Sequence, residues 1–353
     1  MTELSKVRKP LAITMGDAAG IGPEIIAKAF RDDPVGLKGC FVVGDVATLR
    51  RAAKVVTPEG CLPLPVACIA LPEDALQTPP NCIPVLQPRG DLGVIPWGRV
   101  SAEAGAFAGD CVVWAARAAL NGKVSALVTA PLHKEALHAA GLPFAAFPGH
   151  TELLQCEAAR HLGISVADLP VRMMLLNEDL RTVLVSIHVS LREAIAAVTF
   201  DNVSATVQIT HNALSHLLGR FPRIAVAGLN PHAGEGGLFG RDEIEFIGPA
   251  IEAARQKGLD VSGPYAPDTI FMRARRKPSG HREFDVVVAM YHDQGLIPVK
   301  YLGIENGINV TLGLPLVRTS PDHGTAFDIA GTGQADPRSL LQAIRLAQAW
   351  PAH

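Results

Sequence analysis

Short runs of apolar, largely β-branched residues recur along this chain, and each is followed at once by a turn and a helix-forming stretch. The clearest is Val286-Val287-Val288-Ala289-Met290, long enough for one buried strand and no more. Tyr291, His292, Asp293 and Gln294 follow without a spacer, and Gly295 then lets the backbone turn. Strands alternating with helices in this way predict an α/β protein with three layers, α/β/α, around a mostly parallel sheet. In open sheets of that kind, polar groups at the carboxyl ends of the strands lie where ligands bind.

The same pattern places a first strand at Pro10–Thr14 and a second at Cys40–Gly44, with the glycine-rich turn MGDAAGIGPE (15–24) between them. Pro23 suits the first position of a helix over Glu24–Phe30. GDAAGIG is not the GxGxxG spacing, so a standard dinucleotide-binding turn is not supported; a tight strand-to-helix connection and a direct ligand contact fit equally. A proline-rich stretch from Thr57 to Trp97 predicts short strands and connections. Ser101–Asn121 reads as a capped, alanine-rich helix stopped by Gly122, and VSALVTA (124–130) as a strand leading to a helix over Pro131–Ala140. The turn Phe147–Glu152 opens a helix over Glu152–His161, and donors at a helix N-terminus make a natural anion site. Strands at Val171–Leu176, Thr182–Ile187, Arg223–Leu229 and Ile308–Leu312, and helices at Leu191–Ala197, Asp201–Leu218, Asp242–Lys257, Gly324–Ala330 and Ser339–Trp350, complete the reading. The chain is expected to be one unit, 1–353, with subdomains of about 1–145 plus 313–353 and 146–312, and a cleft between them.

Bulk composition narrows the partners. Lys and Arg number 32 against 34 Asp and Glu, so the balance offers no electrostatic footprint for nucleic acid or an anionic membrane. The N-terminal MTELSKVRKP has basic residues but only a four-residue apolar stretch after it, neither signal peptide nor membrane span, so a cytoplasmic protein is expected. The six cysteines (Cys40, Cys61, Cys68, Cys82, Cys111, Cys156) form no CxxC pair and read as reduced, mostly buried thiols.

Three strand runs end in histidine: VLVSIH at His188, IAVAGLNPH at His232 and VVVAMYH at His292. Neutral imidazole binds zinc, cobalt, manganese or iron, and three protein ligands leave positions open for a substrate. Each histidine alone is accounted for by a hydrogen bond at a strand end; the three together, with Asp293 and Asp268 as acidic partners, favour a metal. Near the C-terminus, PDHGTAFDIAG (321–331) places His323 and Gly324 before Thr325, which suits a helix start, with Asp328 in the first turn. Such a loop suits a phosphate or ribose, and equally an ordinary capped helix.

GHTE (149–152), GLNPHAGEGG (228–237), MYHDQG (290–295) and GINVTLGLPLVRTSPDHGTAFDIAG (307–331) together resemble the 4-hydroxythreonine-4-phosphate dehydrogenase family, PdxA. The opening MGDAAGIGPE is similar too, with Ala18 where the family usually has proline. The resemblance spans about residues 10–345. It implies an isocitrate/isopropylmalate-dehydrogenase-like fold, a homodimer sharing its active site, and oxidation with decarboxylation of a substrate using NAD or NADP and one divalent metal (zinc, cobalt, manganese or magnesium). It further implies His188, His232 and His292 as metal ligands, and His150, Thr151, Lys300, Asn309 and Arg318 as substrate contacts. Lys300 is either the general acid/base or an anion clamp, and Asp293 an orienting partner of His292. HGTAFDIAG also resembles the cofactor loop of isopropylmalate dehydrogenases, which points to His323, Gly324, Thr325 and Asp328. Relatives that act on an aryl cis-dihydrodiol lack the GHTE pair and the equivalent of Arg318, so keeping both suits a phosphorylated acid.

The expected substrate is 4-hydroxythreonine 4-phosphate, giving 3-amino-2-oxopropyl phosphate in pyridoxine biosynthesis. D-Threonate or D-erythronate 4-phosphate, giving dihydroxyacetone phosphate and CO2, is the alternative, and TAPLHKEALH (129–138) is slightly closer to that catabolic branch. A zinc lyase of aldolase type, working without nicotinamide, is the reading from a different class.

Overall fold

The computed structural model of the protein describes residues 9–351. The first eight residues, which carry most of the leader reading, and the last two lie outside the described residues. In chain order the strands and helices are β1 (Leu11–Thr14), α1 (Gly22–Asp32), β2 (Cys40–Val43), α2 (Val46–Val55), β3 (Val66–Cys68), β4 (Ile83–Leu86), α3 (Ala102–Leu120), β5 (Leu127–Thr129), α4 (Lys134–Ala139) and α5 (His150–Leu162). There follow β6 (Arg172–Leu176), β7 (Arg181–Leu184), α6 (Leu191–Ala196), α7 (Phe200–Leu218), β8 (Ile224–Ala227), α8 (Gly248–Gln256), β9 (Val261–Tyr265), α9 (Ile270–Ala274), β10 (Val286–Ala289), α10 (His292–Tyr301), β11 (Ile308–Leu312), β12 (Arg318–Pro321) and α11 (Arg338–Ala349). The apolar runs thus become strands and the protein is α/β. No helix among the described residues is long and apolar enough to cross a membrane.

Two compact units divide the chain, one of Met1–Leu169 with Leu314–His353 and one of Pro170–Gly313. The first unit orders its strands β3-β4-β2-β1-β5-β12, every neighbouring pair parallel. Apart from the edge strand β3, these strands are buried along their length, which is why they read as unbroken apolar runs. Ser101 caps α3 by accepting from the Ala104 N–H at 3.2 Å. Gly105 lets α3 reach α4 at backbone contact, because a Cβ there would lie 2.0 Å from the Ala136 carbonyl oxygen. Buried Glu157 on α5 accepts from Arg117 Nε of α3 at 2.7 Å and pairs with Arg160 as well. That packing keeps α5 in the first unit, so the division falls after Leu169 and not at the turn near residue 145.

In the second unit the order is β11-β6-β7-β10-β8-β9. Here β7, β10, β8 and β9 are parallel, but β6 runs antiparallel to both β7 and β11. The cause is the turn at Asn177, whose side-chain oxygen accepts from the N–H groups of Asp179 and Leu180, both at 2.9 Å, and so closes a hairpin. Leu175, Leu184, Val287, Ala289 and Leu296 form the centre of this unit's core. At the foot of β10, Asp285 is buried against Arg220 and Arg223, with both Arg220 contacts at 2.8 Å. Burial pushes its carboxyl up, but the hydrogen bonds from Arg220 and Arg223 outweigh that and hold it far below the usual carboxylate range.

Two expected elements differ. The backbone does not turn away at Gly295, as the sequence suggests: His292 itself opens α10, which runs through Gly295, and Lys300 sits in its last turn. Gly295 and Pro298 mask that helix in the sequence; yet Gly295 is where α10 meets the sheet, since a Cβ there would strike Leu184 at 2.4 Å. Conversely, Gly324–Ala330 is a series of turns and no helix, because Ala326 takes a left-handed φ of 41°. All six cysteines are free, and Cys40, Cys82 and Cys111 are buried as expected, whereas Cys61 and Cys68 are exposed.

Candidate active site

The second unit supplies the histidines. Because β7, β10 and β8 are consecutive parallel neighbours, their carboxyl ends open on one edge, and His188, His292 and His232 follow them in that order. The rings of His188 and His292 lie 5.6 Å apart at 44°. His292 Nδ1 pairs with Asp293 Oδ1 at 2.7 Å, which orients the ring and leaves Nε2 as the nitrogen turned away from that contact.

Backbone strain is concentrated on this edge. His188 has a φ of 36° and His232 of 51°, a region that side chains rarely adopt away from functional sites. Ser186 supports the first by donating to the Met290 carbonyl at 3.0 Å. The second lies in a left-handed turn, with positive φ from His232 through Gly236, and buried Glu243 holds that turn. Glu243 accepts from the N–H groups of Leu229 at 2.7 Å and Asn230 at 2.8 Å. Gln294 joins the strand ends: it accepts from Met290 N at 2.7 Å and donates to the Gly228 carbonyl at 2.8 Å.

That turn carries His232 into a cavity of about 590 Å3 lined also by Asp268, Tyr291, Asp293 and Gln294. Only His188 and His292 come into ring contact, and no group of three or more His, Cys, Asp or Glu is gathered as a metal site among the described residues. The donor chemistry therefore fits part of a divalent-metal site within one chain: two imidazoles, one of them already oriented by a carboxylate. Lys300 stands eight residues along α10 from His292, about 12 Å at the helical rise. Asn309 lies in β11, paired with Leu175 of β6.

The first unit brings His150 and Arg318 together. Gly149 precedes α5 with extended backbone and no capping side chain, so His150 and Thr151 present uncapped N–H groups at the helix start. Burial, with the Arg318 charge adding to it, holds the His150 imidazole well below its ordinary pKa, and its Nε2 is buried without a partner. Arg318 on β12 is 4% exposed, and its Nε and Nη2 both donate to Thr129 Oγ1 at the end of β5, at 3.2 and 2.7 Å. Burial lowers its pKa to about 10 even with the Glu152 charge nearby. A desolvated, still cationic guanidinium beside a neutral imidazole and a helix N-terminus is suited to a phosphate.

The turns after β12 pack on the same unit. His323 Nδ1 contacts the Gly324 carbonyl oxygen at 3.0 Å, Thr325 is buried, and Asp328 is exposed. Phe327 stacks on His133 with ring centroids 4.5 Å apart. Thr14 Oγ1, Asp17 Oδ2 and His323 Nε2 are buried without partners around the ends of β1 and β12. Three orphaned polar atoms fit a polar ligand such as the ribose or phosphate of a nicotinamide cofactor. Burial also raises the Asp17 carboxyl, against the lowering effect of the Ala19 N–H.

Sequence reasoning missed Thr129, Gln294 as a tie and Glu243. Thr129 ends a strand that reads as purely structural, and Glu243 sits among the charges of an amphipathic helix start, so neither carries a local signal.

The family described as "Pyridoxal phosphate biosynthetic protein PdxA" matches over residues 37–347. The chain is 49% identical to a 4-hydroxythreonine-4-phosphate dehydrogenase of Beijerinckia indica, over 96% of this chain and 94% of that relative. It is 46% identical to a D-threonate 4-phosphate dehydrogenase of Cupriavidus necator, over 95% of each. Among solved structures, the 4-hydroxythreonine-4-phosphate dehydrogenase of Klebsiella pneumoniae superposes with a TM-score of 0.82 at 42% identity, over 96% of this chain and 98% of that one. A terephthalate 1,2-cis-dihydrodiol dehydrogenase of Burkholderia xenovorans matches with a TM-score of 0.63 at 31% identity, over 98% and 99%.

Proposed function

The chain belongs to the PdxA family and is a dehydrogenase, and on that premise we propose that it oxidises and decarboxylates a 4-phosphorylated 3-hydroxy acid in the cytoplasm, with 4-hydroxythreonine 4-phosphate as substrate. The observation that carries the phosphate is the buried Arg318, set by Thr129 beside neutral His150 and the uncapped start of α5. D-Threonate 4-phosphate is the second reading, favoured by the relative of that name at 46% identity.

Arg318, His150 and Thr151 bind the phosphate, and the desolvation of Arg318 is already complete before the substrate arrives, so the ionic contact is strong. When bound, a nicotinamide would supply the hydride acceptor, and a divalent cation would supply Lewis-acid stabilisation of negative charge on the substrate oxygen. His188, His232 and His292 would hold that cation, His292 kept in one tautomer by Asp293. Lys300 takes the C3 hydroxyl proton and returns a proton to C2 after CO2 leaves. Asn309 orients the substrate, and His323, Gly324, Thr325 and Asp328 receive NAD or NADP.

We further propose that two copies share the site. His292 and Lys300 occupy opposite ends of α10, and Ile297 and Tyr301 on that helix are 63% and 91% exposed. A second copy covering α10 buries these side chains and brings its own groups to the histidine edge.

The test is kinetic. Purified protein with a divalent metal should form NADH or NADPH on both 4-phosphorylated acids, faster on 4-hydroxythreonine 4-phosphate, and not on its dephosphorylated form. Comparable turnover of the dephosphorylated acid would refute phosphate recognition, and faster turnover of D-threonate 4-phosphate would select the second reading. Mixing two inactive variants, His292→Ala and Lys300→Ala, should restore part of the activity if copies share the site. No restoration on mixing would refute the sharing.

A further inference from the structure

The glycine-rich turn after β1 remains unexplained by the chemistry above, although MGDAAGIGPE is among the most distinctive stretches of the chain. It lies directly beneath the turns that follow β12. The Ile21 N–H donates to the Thr325 carbonyl at 3.0 Å, and a Cβ on Gly20 would lie 2.9 Å from Thr325 Cβ. The main tie is Glu24, completely buried in the first turn of α1. One carboxylate oxygen accepts from the Gly331 N–H and the other from the Gly333 N–H, the latter at 2.9 Å. Lys28, one turn further along α1, donates to the Ala335 carbonyl at 2.6 Å. From the other side, Gly98 donates to the Ala19 carbonyl at 2.8 Å and packs on the Phe327 carbonyl, where a Cβ would come within 2.7 Å.

We propose that Glu24 is a positioning residue for the cofactor: by bridging the Gly331 and Gly333 N–H groups it fixes segment 323–333 in its binding conformation over the 15–24 turn. The segment cannot hold that shape by itself. Ala326 at φ 41°, Gly331 at φ 82° and Gly333 at φ 71° place it in left-handed backbone, and its N–H groups at 331 and 333 have no helical or strand partner. A carboxylate is the side chain suited to this role, since its two oxygens accept from two donors at once. A glutamine presents an NH2 group to one of those two donors. This inference rests on the reading of 323–333 as the cofactor segment.

The experiment compares Glu24→Gln, Gly20→Ala and Asp328→Ala in the full-length protein, reading the KM of NAD and NADP, the KM of the phosphorylated acid, kcat, melting temperature, and cofactor affinity by calorimetry without substrate. Glu24→Gln is expected to raise the cofactor KM and Kd about tenfold, the equivalent of one lost charged hydrogen bond, with kcat and the acid KM within about twofold. Gly20→Ala, which displaces Thr325, should shift the same two constants in the same direction and supplies the test if Glu24→Gln does not fold. If Asp328→Ala weakens cofactor binding while folded Glu24→Gln and Gly20→Ala do not, the positioning role of Glu24 is refuted. If all three variants fold and leave cofactor binding unchanged, the assignment of 323–333 to the cofactor falls, and this inference with it. A lower melting temperature with unchanged cofactor constants marks a purely structural role for Glu24 and overturns the proposal.

Discussion

The two units prepare their polar groups in opposite ways. In the first, Arg318 is 4% exposed, tied by two hydrogen bonds to one hydroxyl, and paired with an imidazole that burial keeps neutral. In the second, the His292 side chain is 39% exposed and its partner Asp293 70%, and the three histidines are not gathered into one cluster among the described residues. Arg318 has lost its water within the fold itself, which is the preorganisation that the proposed anion socket needs. The histidine edge is fixed in backbone and open in side chains, so its final geometry depends on what binds there. A phosphate site suits the first design and a metal site completed by a further group suits the second.

The sharpest way to break that contrast is to remove one histidine. His292→Ala should abolish NADH formation and bound metal while leaving the melting temperature nearly unchanged, because the side chain is half in solvent; retained stoichiometric metal would remove His292 from the ligand set. Arg318→Met should reduce kcat/KM on the phosphorylated acid about a hundredfold, since it removes a buried charge from a charged ligand. A fall confined to kcat, with KM unchanged, would deny Arg318 a part in ground-state binding.

The second unit has its own buried ion cluster, which provides a control remote from the histidine edge. Asp285→Asn should cost about 3 kcal/mol of stability in denaturant titration, with activity retained below the transition. Because the folded carboxyl titrates far below its usual range, its contribution is complete above about pH 4 and is lost as pH falls further. The gap between wild type and variant should therefore narrow in acid. A smaller effect is expected from Asp293→Asn, about tenfold in metal affinity, measured by competition with a chelator. The smallest is the pH response of His150. Its depressed pKa makes the neutral form the folded form, so its contribution is present above about pH 6.5 and lost as pH falls. The melting temperature of wild type should drop more steeply than that of His150→Gln between pH 7 and 5; parallel profiles would contradict the burial of His150.

Much of this architecture is legible in the sequence itself. The α/β alternation, the capped helix after Ser101 and the three strands ending in histidine follow from short-range pattern, because burial on both faces forces continuous apolar runs. Two local readings failed for physical reasons. Gly324–Ala330 looks like a helix start, but Ala326 takes a left-handed φ, and the N–H groups just beyond it, at Gly331 and Gly333, are claimed by Glu24, more than 300 residues away in sequence. His292–Tyr301 looks like a loop because glycine and proline interrupt it, yet Gly295 is the residue that lets the helix lie against Leu184 and Ala289.

What the sequence determined by itself is the inventory: which strands are buried, which histidines end them, and which glycine turns and charged residues accompany them. These depend on side-chain hydrophobicity and backbone freedom, properties that act within a few residues. Tertiary structure alone decided which groups meet. Parallel pairing of β7, β10 and β8 put the histidines on one edge, and pairing of β5 with β12 set Thr129 under Arg318. The left-handed turn held by Glu243 then set His232 in the lining of the cavity beside Asp268 and Gln294. Contacts of that kind are fixed by strand order and by hydrogen bonds between distant segments, and no periodicity in the chain encodes them.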